Sequence, residues 1–175
     1  YTAAGRLSEA ERRATKGAFW GSIHGTLAHI LWGDQQWMSR FDDWPRPGKP
    51  ITESDRFVED FAELRAAREK ADSNISAWAA KINQNWLDED LVWYSGAAKR
   101  DMHMPKRLLV THFFNHQTHH RGQAHALITA AGQETGDRQD TQDQEEADRT
   151  DHQGGEPELE LAEVLHRGQV RGTED

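Results

Sequence analysis

Phe57, Phe61, Leu64, Ala71, Ile75, Trp78 and Ile82 recur at intervals of three, four and seven residues. That period lines one face of an α-helix with apolar side chains. A helix of that length, apolar on one side only, must bury its stripe against other elements. Thr52 or Ser54 offers it a cap. A second stripe precedes it, through Phe19, Ile23, Leu27, Ile30, Trp37 and Phe41, and Pro45, Pro47 and Gly48 stop that helix. A third begins at Pro105, which suits a first turn. It passes through Leu108, Leu109, Phe113, Leu127 and Ile128 and ends near Gly132. The opening YTAAGRLSEAERRA reads as the end of a helix followed by a turn capped by Ser8. The stretch 83–101 has no helical period, and within it Leu91 to Tyr94 fits a short extended piece. The fold class this predicts is all-α.

The chain has 175 residues, enough for one domain with one core. Its net charge of −9 is unevenly spread. Residues 133–175 hold 14 acids against 4 bases and no aromatic residue, whereas residues 1–132 hold 16 acids against 17 bases. The expected organisation is therefore a helical domain over 1–132 and an acidic, disordered tail over 133–175, which lacks the apolar surface to fold alone. Within the tail, PELELAEVLH fits one weak helix, and HRGQ at 166–169 repeats 120–123 by chance. The near-neutral body carries no basic stripe, so nucleic acid is not an expected partner. Cysteine is absent. That removes disulfides, thiolate metal sites and a cysteine nucleophile, and leaves a cytoplasmic location open. No signal peptide and no apolar run of membrane-spanning length is visible, so no membrane partner is expected.

Five of the ten histidines fall between His112 and His125. On a helix, His116 and His120 stand about 40° apart on one face, one turn above the other. Leu109, Phe113 and Leu127 share that face, so both imidazoles should be partly buried. A buried polar ring without a partner costs about 1–3 kcal/mol. A shared divalent ion is one way to satisfy two of them, and the i, i+4 spacing lets both reach it. His112 and His119 lie at the edge of the face and His125 points away; a surface role suits each. His103, in a loop, and His152, in the tail, read as solvated. Two ligands do not close a site. His24, His29 and Asp34 on the helix of the second stripe are the nearest further donors. His24 borders that stripe and His29 lies on a different side, so spacing favours His24 slightly or leaves both as ordinary helix histidines.

GSIHGTLAHILWGDQQW and, some seventy residues later, HFFNHQTHHRGQAHALI together resemble the DinB/YfiT-like family of metalloenzymes. The family pattern is a histidine within T-L-x-H, an acid five residues on, a tryptophan three beyond, and N-H-x-x-x-H-R-G-Q on the last helix. Here it falls on Thr26, Leu27, His29, Asp34 and Trp37, and on Asn115, His116, His120, Arg121, Gly122 and Gln123, within residues 5–132. The resemblance implies a four-helix bundle, up-down-down-up, with a long crossover. It implies His29, His116 and His120 as metal ligands, the metal being nickel or zinc, and it implies homodimers. It is the resemblance that selects His29 over His24. The family's first helix would precede Tyr1, so a truncated first helix is expected. The family's closing Gly-Asp-x-Asp-Leu segment begins at Gly136 and Asp137 and then gives way to the acidic tail. A frameshift or a misassigned gene boundary would account for both ends.

Three imidazoles and open positions on an ion allow two kinds of chemistry: hydrolysis by activated water, or use of a low-molecular-weight thiol held as thiolate. Relatives of the family include thiol-dependent transferases and isomerases. With no cysteine in the chain, the thiol would be a cosubstrate beside a small-molecule substrate. Asp34 or Gln123 is placed to orient a ligand histidine, and Arg121 to pair with a carboxylate. The alternative from another class is a catalytically silent helical module that binds metal structurally or serves dimerisation.

Overall fold

The computed structural model describes residues 1–96 and 98–135. Among them are two short helices, α1 (Thr2–Gly5) and α2 (Glu9–Arg13), and three long ones, α3 (Ile23–Phe41), α4 (Phe61–Ala79) and α6 (Lys106–Ala130). A one-turn α5 (Gln84–Asp88) and a two-stranded hairpin, β1 (Asp90–Ser95) with β2 (Arg100–Pro105), complete the set. The protein is mostly helical. The expected tail from 136 onward, with its weak helix at 157–166 and the HRGQ echo, lies outside the described residues. No helix among those described is long and apolar enough to cross a membrane.

Local chemistry sets the boundaries. Ser8 caps α2 in a reciprocal pair with Glu11, as its position suggested. α3 begins at Ile23 because the Ser22 hydroxyl accepts the Gly25 N–H at 3.0 Å. Phe19 is thereby excluded from the stripe and is 79% exposed, at the tip of a tight turn made by the left-handed glycines Gly17 and Gly21. α4 is capped by Asp60, not by Thr52 or Ser54. Those two lie in a separate 3-10 turn, Ile51–Arg56, where the Ser54 hydroxyl is drawn inward to the Ile51 carbonyl. α6 ends with Gly132 at φ 81°: the Gly132 N–H reaches the Thr129 carbonyl and the Gln133 N–H the Ile128 carbonyl.

The expected extended piece at Leu91–Tyr94 is the middle of β1, and its pairing partner, Arg100–Pro105, had no strand signal of its own. Leu91 and Trp93 face inward while Val92 and Tyr94 are exposed, the alternation of a half-buried strand. His103, opposite Val92, pairs with Asp90 at 3.0 Å.

Two core clusters show how the long helices run. In one, Ile23, Leu27, Ile30 and Leu31 of α3 meet Leu64 and Ala71 of α4 and Ala124 and Ile128 of α6, closed by Ala4 and Leu7. In the other, Met38 and Phe41 meet Ile75, Trp78, Leu109 and Phe113. α3 and α4 thus run the same way and α6 runs against them. Parallel neighbours need a long connection, and residues 42–60 provide it. Every residue from Ile23 to Leu31 is buried. The first half of α3 is therefore enclosed on all sides rather than along one stripe, and its polar residues become the main question.

Candidate metal centre

His29 on α3 and His116 and His120 on α6 come together. One ring nitrogen from each lies within 4.8 Å of the other two. His29 Nε2 and His116 Nε2 are 3.1 Å apart, and the rings of His116 and His120 meet edge to face with centroids 4.5 Å apart. His29 is 2% exposed and His120 7%. Gly33, one turn after His29, makes the approach possible: a Cβ there would sit 2.7 Å from His116 Cε1. Trp20 lies flat on the His29 ring at 3.8 Å between centroids, and Trp32 is near parallel to the ring at 6.0 Å.

Hydrogen bonds assign the free lone pairs. The Ser54 hydroxyl has one proton and donates it to the Ile51 carbonyl at 2.7 Å. Towards His29 it accepts, so Nδ1–H of His29 donates at 2.8 Å and Nε2 of the neutral ring is left with its lone pair. At His120 the Gln123 carbonyl oxygen accepts from Nδ1–H at 2.8 Å. The amide end of the same Gln123 donates to His119 Nε2 at 3.2 Å, which holds the side chain that way round. His120 Nε2 is therefore also unprotonated. Without metal, one proton on His116 Nε2 satisfies the contact with His29; a cation can take its place. Imidazole nitrogens that share one ion at about 2.1 Å lie roughly 3–3.5 Å apart, close to the His29–His116 separation.

Electrostatics favour the neutral rings. Burial pushes His29 down to about 3 and His116 down to about 4, and neighbouring histidines add to both shifts. His120 is also lowered by burial, against the pull of its bond to Gln123. At neutral pH none of the three needs to lose a proton before it ligates a cation. Three such histidines can hold a metal ion, and the donor set fits a divalent one of borderline softness.

A family model described as the DinB family matches residues 1–155. The chain belongs to the DinB family. No curated protein and no solved structure matches the chain.

Other residues of this DinB-family chain take up different tasks from those their spacing suggested. Asp34 does not orient an imidazole. It accepts from the Arg68 guanidinium of α4 and from the Gln117 amide at 2.8 Å. It lies about 140° around α3 from His29, which turns it away from the rings. Burial raises the Asp34 carboxyl, and Arg68 opposes that rise. Arg121 meets the Gln117 side-chain carbonyl at 2.6 Å rather than a carboxylate. His24, slightly favoured by the spacing, is a buried histidine bonded to the Val58 carbonyl at 2.8 Å and is not in the cluster. His112 and His119 are exposed, and His125 meets Thr135. Gln123 does orient His120, as one of the two expected candidates. Ser54, Trp20, Arg68 and Gln117 were not foreseen. A serine inside a 3-10 turn and a tryptophan in a loop have no spacing signature; only the contact reveals them.

Proposed function

We propose that the protein is a metal-dependent enzyme in which His29, His116 and His120 bind nickel or zinc. The observation that carries this reading is the pair of lone pairs at His29 Nε2 and His120 Nε2, held in place by Ser54 and Gln123 and turned to the same point as His116. When bound, the ion supplies Lewis acidity, which lowers the pKa of a thiol or of water. Ser54 and Gln123 fix the tautomer and the tilt of two ligand rings, a role that strengthens the nitrogen as a donor. Trp20 and Trp32 cover the faces of His29 and keep solvent from it. The reaction we favour is transfer to or from a small-molecule substrate with a low-molecular-weight thiol as cosubstrate, with hydrolysis as the other route through the same site.

The same proposal extends to the architecture. The parallel run of α3 and α4 and the reversed α6 support an up-down-down-up four-helix bundle, with 1–132 as the domain and 133–175 as an acidic appendage. We place the protein in the cytoplasm as a homodimer.

The test begins with the metal content of freshly purified protein by mass spectrometry, expected to be one nickel or zinc per chain. His120→Ala should reduce affinity for added cobalt by more than tenfold, and His125→Ala should leave it within about twofold. Equal losses would reject these ligands. A cobalt spectrum that shows a closed shell, insensitive to small thiols, would identify a silent metal-binding module instead.

A further inference from the structure

We propose that Arg40 anchors the carboxylate of an elongated ligand whose other end reaches the histidine centre. The proposal rests on the metal reading above and adds the shape and charge of the molecule that approaches it.

His29, Gly33, Gln36 and Arg40 follow one another on α3 at steps of four, three and four residues. Eleven residues bring Arg40 back to within about 20° of His29 and set it about 16 Å along the axis. A line of rings joins the two points. His29 and His116 have centroids 5.1 Å apart, His116 and His112 6.2 Å, and His112 and Trp37 5.2 Å. The Arg40 guanidinium then lies 4.8 Å above Trp37 and 5.7 Å above Trp93, a ring of β1. His112 is exposed and both tryptophans are half-buried. The line therefore ends at side chains that solvent reaches, between α3, α6 and the hairpin.

Arg40 is half-buried with few partners. Among the described residues its one hydrogen bond runs from Nη1 to the Gln36 carbonyl at 3.3 Å. No carboxylate among the described residues forms an ion pair with it, whereas Arg68, Arg13 and Arg107 each have one. Burial lowers the Arg40 pKa, and Arg46, a charge of the same sign, lowers it further. A half-buried guanidinium near another cation lacks a counter-anion among the described residues. Trp37 and Trp93 hold its faces by cation–π contact. The planar fork of N–H donors that remains matches a carboxylate. The ligand this describes has a metal-seeking head, an apolar or aromatic span, and a carboxylate at the far end.

The test uses the full chain loaded with cobalt, titrated with mercaptoundecanoate and with mercaptoundecanol. The two thiols match in length and differ in the terminal carboxylate, and sulfur ligation is read from the sulfur-to-cobalt absorption band. The wild type should bind the carboxylate at least about tenfold more tightly than the alcohol, the worth of one charge-assisted contact. Arg40→Met, which keeps an apolar stem over the tryptophans, should abolish that preference and leave the affinity for the alcohol unchanged. Arg40→Lys should retain part of it. An intact band with equal affinities in the wild type, or a preference that survives in Arg40→Met, overturns the role of Arg40 alone. Failure to take up cobalt, or to show the band with either thiol, overturns the metal–thiol reading and this proposal with it.

Discussion

Two polar clusters are buried on α3, five residues apart, and they differ in whether opposite charges or neutral rings meet in them. Around Asp34, opposite charges meet: the carboxylate takes Arg68 and Gln117, Asp72 lies 2.6 Å from Arg68, and Gln117 takes Arg121, while Nε and Nη2 of Arg68 are buried without a hydrogen-bond partner. Around His29, the outer nitrogens are satisfied by Ser54 and Gln123 while the inner ones face one another. A network of opposite charges joins α3, α4 and α6. An open one made of neutral donors leaves room for something from outside. Burial alone does not separate structure from site; the direction of the remaining lone pairs does.

If that contrast holds, damage to the first cluster should register as stability and damage to the second as affinity. Arg68→Ala leaves the Asp34 carboxylate buried without its cation, which should cost about 3–5 kcal/mol in urea unfolding. The surviving folded protein should still take up one metal per chain. A fall in metal stoichiometry at equal stability would merge the two clusters. Ser54→Ala comes next: it strands His29 Nδ1–H and frees the ring to turn, so metal affinity should drop by about tenfold. Competition with a chelator measures that drop, and an unchanged constant would remove Ser54 from the site. Gly33→Ala should also weaken binding, because the new methyl meets His116 Cε1 and displaces its ring from His29.

The smallest effect is on pH dependence. His29 and His116 titrate near 3 and 4 in the folded chain, below the ordinary 6.5. As pH falls below 6.5 the unfolded chain binds protons first. Stability of the metal-free protein is therefore full above 6.5, declines towards pH 4, and stops declining once the folded rings protonate as well. The urea midpoint should be lower at pH 5 than at pH 7, and His116→Gln should shrink the difference. A midpoint flat over that range would mean that the rings are solvated.

Much of this was legible beforehand. The stripe from Leu64 to Trp78 is the buried face of α4, and Leu109, Phe113 and Ile128 are that of α6, whereas Phe57 and Ile82 fall outside α4 and Leu108 is exposed. The i, i+4 spacing of His116 and His120 put two imidazoles on one face, because helical geometry is local. The T-L-x-H and N-H-x-x-x-H-R-G-Q patterns located the family, which the match over residues 1–155 shows. The start of α3 was misplaced at Phe19 because an apolar residue at the right interval looks the same whether or not a cap intervenes. β2 was missed because Arg100–Pro105 is a strand only through its pairing with β1.

His24 and His29 mark the boundary between the two kinds of knowledge. They share one helix, both are buried, and periodicity does not choose His29 but leans slightly towards His24. The sequence by itself determined that long amphipathic helices would form and that His116 and His120 would share a face, since both follow from the rise and turn of a single helix. Only the tertiary structure decided that His24 would spend its nitrogen on the Val58 carbonyl while His29, with Gly33 beside it and Ser54 behind it, would meet α6. The reason is that a side chain's partner depends on which element packs against it, and that is a property of the whole chain rather than of any segment.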